Sequence, residues 1–249
     1  YISMAITRTV FITGGARRIG MAVAKYLHAS GYNIIITYDK SRHEANTLSK
    51  TLNDIRQGSF AAINANFSSK KTCEAAYKKA IKVFGRIDVL INNASKFYPT
   101  KINDVNEKSW SDIIDTNLKI PLLLSKEFYP ELKKRKGSIV NIIDIHVNPP
   151  LKDHIIYNVS KAGLLALTKS LAKDLAPHIR VNGVSPGAIM WPETDMGNSS
   201  KKKEILSRIA LRRTGEPDDI AKAILFLIQS ANYVTGQNID IDGGRKLNM

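Results

Sequence analysis

Short β-branched runs with few charges alternate with stretches of helical periodicity along the whole chain. That alternation restricts the fold more than any other feature. Arg8–Thr13 leads, through glycines, to a helical pattern over Arg18–Ser30 closed by Gly31. Asn33–Tyr38 leads to a helix over Arg42–Gln57 stopped at Gly58, and Phe60–Asn64 to one that Ser68 can N-cap and Gly85 ends. Ile87–Ile91, a long helical stretch over Glu107–Lys134, Ser138–Ile143, a helix over Ile155–Leu175, Arg180–Val184, a helix over Pro217–Ile228 and Asn238–Ile241 complete the series. Strands with no polar face are buried on both sides, and the helices between them are the crossovers that parallel strands require. The reading is α/β: seven parallel strands, doubly wound with helices on both faces, in a single domain over residues 1–249. Periodicity fails only at about 186–204, where Pro186, Gly187, Pro192, Gly197, Asn198 and Ser199 predict a long substrate loop beyond a strand's C-terminal end.

Composition narrows the function. Hydrophobic residues at 43% and charged residues at 24% exclude wholesale disorder. One cysteine, Cys73, excludes an intrachain disulfide framework and a cysteine-rich zinc site, and the scattered histidines show no metal-ligand spacing. No apolar run approaches the roughly 18 residues of a membrane span, and the N-terminus lacks a secretory apolar stretch. A cytoplasmic protein with no membrane partner is expected. The net charge of +15 invites a nucleic-acid reading, but the basic residues are dispersed, with short clusters only at Lys133–Lys136 and Lys201–Lys203. A solvated basic surface that attracts anionic ligands accounts for them better than nucleic-acid binding.

The first strand runs directly into Thr13-Gly14-Gly15-Ala16-Arg17-Arg18-Ile19-Gly20 and a helix. Glycines allow backbone to approach a pyrophosphate, and the helix start offers free N–H groups, so this is a Rossmann-type dinucleotide turn. Tyr157 and Lys161 lie four residues apart on a predicted helix and share a face. An ammonium beside a phenol lowers its pKa and makes it a usable acid.

These segments resemble the short-chain dehydrogenase/reductase family over essentially the whole chain. Arg18 stands where most members have the middle glycine of the turn. Asn92-Asn93-Ala94-Ser95, Asn117, Pro186-Gly187 and Asp242-Gly243-Gly244 fall at other family signatures. The family's usual acidic position after strand two is the neutral Thr37, and Arg18, Lys40 and Ser41 can hold a 2′-phosphate, which favours NADP(H). Asp39 argues for NAD, or is a turn carboxylate pairing with Lys40 or Arg42. The resemblance implies cofactor contacts from Gly14, Arg18, Ile19, Tyr38, Lys40, Ser41, Asn66, Phe67, Asn93, Ala94, Ser95, Tyr157, Lys161, Pro186 and Gly187. It also implies a homotetramer with the 107–135 and 155–175 helices at one interface.

Thirteen residues before the tyrosine the family has a serine that hydrogen-bonds a substrate carbonyl; here it is Asp144. A carboxylate suits ring and amino N–H donors instead. With Arg18 in the turn and Asn92–Thr100 reading Asn-Asn-Ala-Ser-Lys-Phe-Tyr-Pro-Thr, the chain is similar to the pteridine reductase branch. That resemblance implies NADPH-dependent reduction of a C=N bond in a pterin or dihydrofolate. Its catalytic residues are Asp144, Tyr157, Lys161 and Asn117, and Arg18, Ser95, Phe97, Asp144, Tyr157 and Trp191 contact substrate. Phe97 by itself is equally readable as core packing. The competing readings are a ketoreductase for acyl-carrier thioesters or sugars, and a non-catalytic basic nucleotide-binding protein.

Overall fold

The computed structural model describes residues 7–189 and 199–249, except the side chains at 199–201. In chain order the main elements are β1 (Thr9–Ile12), α1 (Arg18–Ala29), β2 (Asn33–Tyr38), α2 (Arg42–Ile55), β3 (Phe60–Asn64), α3 (Lys70–Phe84), β4 (Val89–Asn92) and α4 (Glu107–Ile114). They continue with α5 (Ile120–Arg135), β5 (Ser138–Ile142), α6 (Ile155–Leu175), β6 (Arg180–Pro186), α7 (Ser199–Arg208), α8 (Pro217–Gln229) and β7 (Asn238–Ile241). The strands form one parallel sheet in the order β3-β2-β1-β4-β5-β6-β7. This is the expected doubly wound domain. The chain winds outward from β1, returns to β4, and winds out the other way, so the switch point lies between β1 and β4.

Strand alternation sorts the core into two layers. Val10, Ile12, Ile34 and Ile36 face α1, α2 and α8 through Val23, Leu27, Leu48 and Ile224. Phe11, Ile35, Leu90 and Ile139 face α3 and α5 through Ala76, Leu124, Phe128 and Leu132. Each large side chain so buried contributes roughly 1.5–3 kcal/mol. The site therefore rests on a sheet clamped from both faces.

Four sequence expectations need correction. The cap of α3 is Ser69, which receives the Thr72 N–H, and Ser68 lies before it. β4 begins at Val89, not Ile87, because the Asp88 carboxylate takes the Thr9 N–H at 2.8 Å and the ladder starts beyond it. The expected helix over 107–134 is interrupted by a π-helical turn at Asp115–Lys119, where the Ile120 N–H reaches back five residues to the Asp115 carbonyl. The expected loop at 186–204 is shorter: β6 extends through Pro186, and α7 starts at Ser199. Residues 199–208 contain no glycine or proline, and Glu204 pairs with Arg208 one turn on. Trp191 lies outside the described residues. Among those described, no helix is long and apolar enough to cross a membrane.

Candidate active site

The ends of β1 and β4 are tied together at the switch point. The buried Thr13 hydroxyl accepts the N–H groups of Asn93 and Ala94, both at 3.0 Å. In return the Asn93 amide donates to the Thr13 and Gly14 carbonyls at 2.9 and 3.0 Å. Gly14 has φ +63°, and a Cβ on it would lie 3.1 Å from the Ala94 Cα, so this position requires glycine. Arg18 also adopts a left-handed conformation, φ +51°, the backbone for which glycine is the usual residue. Such a backbone costs an arginine on the order of 1–3 kcal/mol, and it leaves the side chain exposed at the mouth of the turn. The start of α1 has no side-chain cap and no acid in its first turn, so its N–H groups and positive end are open to an anion. These features fit a dinucleotide diphosphate.

Thr37 does not stand free beside a ribose. It is buried, its hydroxyl takes the Gly14 N–H at 3.2 Å, and its carbonyl takes the Gly15 N–H at 3.0 Å. Asp39 accepts from the Asn66 amide at 3.1 Å and does not pair with Lys40 or Arg42 as the sequence suggested. Lys40 is exposed, and Tyr38 and Ser41 are half-buried around it. Ile19 packs toward the α1 core, Phe67 toward the α3 and α5 core. Pro186 closes β6, and the Gly187 N–H bonds the Ile241 carbonyl at 2.9 Å.

Across the crevice, Asp144 and α6 bring the expected catalytic residues together. The Tyr157 hydroxyl donates to Asp144 Oδ2 at 2.6 Å. Lys161 is 3% exposed; its Nζ donates to the Ile142 carbonyl at 2.8 Å and lies 5.8 Å from the centre of the Tyr157 ring. Asn117, placed by the π-helical turn, accepts the Lys96 N–H and the Ser95 hydroxyl, and donates to the Lys96 carbonyl and the Ser160 hydroxyl. Its amide fastens the 95–96 segment to α6. Phe97 is 57% exposed, which rules out the core-packing reading. Its ring stacks on His154 at 4.8 Å and meets Tyr157 edge-on at 4.7 Å.

The electrostatics reverse one expectation. Burial first, and then the Asp144 carboxylate, push the Tyr157 hydroxyl well above the usual phenol range. The sequence predicted a Lys161-assisted lowering, but burial and, after it, the carboxylate at 2.6 Å act the other way. Burial pushes Lys161 down to about 8, with Asp144 opposing. Burial also disfavours charge on Asp144, but hydrogen bonds and charge from His146, with the Tyr157 hydroxyl, outweigh it and hold the carboxyl below its ordinary value.

Three residues near the site escaped sequence reading. His146 contacts Asp144 from two positions along the chain, a spacing that could have flagged it. His154 sits three residues before Tyr157, one helical turn away, and supplies the face on which Phe97 rests. Arg245 follows the Asp-Gly-Gly signature and senses the Asp144 charge from the far end of the chain, a proximity that no local pattern encodes.

A family model described as enoyl-(acyl carrier protein) reductase matches residues 14–246. The chain belongs to the short-chain dehydrogenase/reductase family. Among its relatives in that family is the 3-oxoacyl-[acyl-carrier-protein] reductase FabG of Staphylococcus aureus, 35% identical over 97% of this chain and 99% of the relative. The FabG of Thermotoga maritima is 35% identical over 95% and 97%. Pteridine reductase 1 of Leishmania tarentolae is 32% identical over 95% of each chain. As a short-chain dehydrogenase/reductase the protein is an oxidoreductase of the nicotinamide-dependent kind.

Proposed function

We propose that the protein reduces a C=N bond of a pterin or dihydrofolate with NADPH. The observation that carries this reading is the Asp144 carboxylate, 2.6 Å from the Tyr157 hydroxyl, at the position where the family places a carbonyl-binding serine. An ionised carboxylate only accepts hydrogen bonds, so it cannot hold a ketone oxygen but can hold the N–H groups of a pterin. Its depressed pKa keeps it ionised at neutral pH. Phe97, exposed beside Tyr157, supplies an aromatic face for a flat ring, and Ser95, bonded to Asn117, lies on the same segment. Tyr157 provides the proton to the substrate nitrogen, Lys161 binds the nicotinamide ribose, and Asn117 links them to the 95–96 segment. The diphosphate is held by the turn from Gly14 to Ile19, and the 2′-phosphate by Arg18, Lys40 and Ser41. Asn93, Ala94, Ser95, Pro186 and Gly187 flank the nicotinamide, and Asn66 and Phe67 the adenine. When bound, the nicotinamide supplies the hydride.

A second reading, reduction of 3-oxoacyl thioesters, is favoured by the identity to FabG, 35% against 32% for pteridine reductase 1. Overall similarity follows the shared fold, whereas substrate choice follows the site, so Asp144 carries the greater weight. Oxidation of NADPH by the protein with 7,8-dihydrobiopterin, dihydrofolate and acetoacetyl-coenzyme A separates the readings. Turnover of either pterin compound supports the first; thioester reduction without pterin turnover replaces it with the second.

A cytoplasmic homotetramer belongs to the same proposal. Trp110, Leu122, Ile155 and Val159 expose apolar surface on α4, α5 and α6, the helices assigned to an interface by family resemblance. The single cysteine is a buried free thiol, as suits a reducing compartment. Light scattering on the eluted protein reads the assembly directly.

A further inference from the structure

His146 has no part in the chemistry above, yet it holds the carboxylate at the centre of the site. It lies in the short 3₁₀ turn Ile145–Val147 directly after Asp144. Its backbone N–H and its Nδ1 both stand 2.8 Å from Asp144 Oδ1, while the other carboxylate oxygen takes the Tyr157 hydroxyl at 2.6 Å. The side chains of His146 and Asp144 are 13% and 21% exposed, so water screens them little. Because the ionised carboxylate only accepts, Nδ1 carries a proton.

We infer that His146 is a positioning residue whose two hydrogen bonds to Asp144 set how readily Tyr157 releases its proton. The inference rests on the proposed role of Tyr157 as proton donor. As the substrate nitrogen takes that proton, the O–H bond breaks and its electron pair stays on the phenolate oxygen. Two negative charges then face each other across a hydrogen-bond distance. The two His146 N–H donors on the opposite carboxylate oxygen stabilise one of them; a side chain without a donor does not. The other charged and titratable groups facing this assembly are Tyr157 and Lys161 on α6 and Arg245 in the turn after β7. The Arg245 Nε is buried with no hydrogen-bond partner, so its charge is not neutralised at that nitrogen.

The test is the pH dependence of kcat/KM for 7,8-dihydrobiopterin reduction at saturating NADPH, in wild type, His146→Asn and His146→Phe. The asparagine keeps a donor near the place of Nδ1, and the phenylalanine keeps a ring with none. Wild type and both variants share the limb near pH 8 from Lys161. Below it the phenylalanine protein is about tenfold slower than wild type in kcat with KM little changed, and the asparagine protein recovers most of that loss. A second readout is independent of turnover: the Nδ1 proton resonance of His146, held downfield by the carboxylate, moves upfield in Asp144→Asn. A phenylalanine protein as fast as wild type, an asparagine protein no faster than the phenylalanine one, or an Nδ1 proton that ignores Asp144 overturns the inference. If the substrate proves to be a thioester, the same profiles are recorded with acetoacetyl-coenzyme A, because Tyr157 donates in either reaction. Failure of the pterin reading and failure of the His146 role are thereby separate results.

Discussion

Replacing Asp144 with serine puts the family's ordinary carbonyl-binding group into an otherwise unchanged site. The carboxylate accepts three protein hydrogen bonds, one from Tyr157 and two from His146, and presents its remaining acceptor capacity to substrate. A substrate N–H that loses a charged acceptor in a desolvated slot loses about 1.5–3 kcal/mol, or roughly ten- to a hundredfold in kcat/KM. Tyr157 changes in the opposite sense. Burial continues to raise its pKa, but the carboxylate contribution disappears, so the phenol becomes the better acid. The loss should therefore appear mainly in KM for the pterin, with kcat little altered. NADPH affinity, read from quenching of protein fluorescence, should not move. The serine hydroxyl, now a donor, should raise activity toward acetoacetyl-coenzyme A. Steady-state kinetics on both substrates, with a thermal melt of each protein, are sufficient. Pterin kcat/KM within twofold of wild type, alongside a shifted melting temperature, would refute the reasoning and leave Asp144 as a support for His146 and Tyr157.

NADPH should be preferred over NADH by more than tenfold in kcat/KM, since each charged contact from Arg18 or Lys40 to a 2′-phosphate contributes roughly 1.5–3 kcal/mol; equal values for the two would make Asp39 the deciding residue. Tyr157→Phe keeps the ring and removes the proton, so turnover should drop at least about a hundredfold while NADPH binding persists; wild-type rates would assign the proton to another group. Lys161 has its folded pKa depressed to about 8 by burial, below the unfolded value of 10.5. Between those two values the unfolded chain binds the extra proton, so stability rises with pH across that window, by about 3 kcal/mol in total. Thermal melts from pH 7 to 10 should show wild type gaining on Lys161→Met above pH 8, and parallel curves would exclude the shift.

Most of the fold was legible because the signal is local. The triplet Ile34-Ile35-Ile36 needs a sheet covered on both faces, and Gly31, Gly58 and Gly85 end the helices where left-handed backbone is required. The catalytic pair was legible because Tyr157 and Lys161 share one helix, and Asp144 because its distance from Tyr157 is fixed within the family. What the sequence hid are contacts made across elements. Thr37 reads as a neutral specificity position until its hydroxyl is found on Gly14. The partner of Asp39 comes from the loop after β3, not from its own turn. The acidity of Tyr157 was misread in sign because spacing reveals Lys161 but neither the burial of the hydroxyl nor its distance to Asp144.

The five-residue turn at Asp115–Lys119 holds one residue more than a regular helix would need there. Deleting one residue from it would let α4 and α5 run on as one continuous rod, but every side chain beyond the cut would rotate by about 100°. Leu124, Phe128 and Leu132 would swing off the sheet, and Asn117 would lose its grip on Ser160 and on the segment carrying Ser95 and Lys96. Insertions and deletions at this point therefore reach the core through helix register and the crevice through Asn117 itself. The surplus residue works as an index pin: it phases one helix so that the same element seals the core with one face and sets the crevice with its beginning.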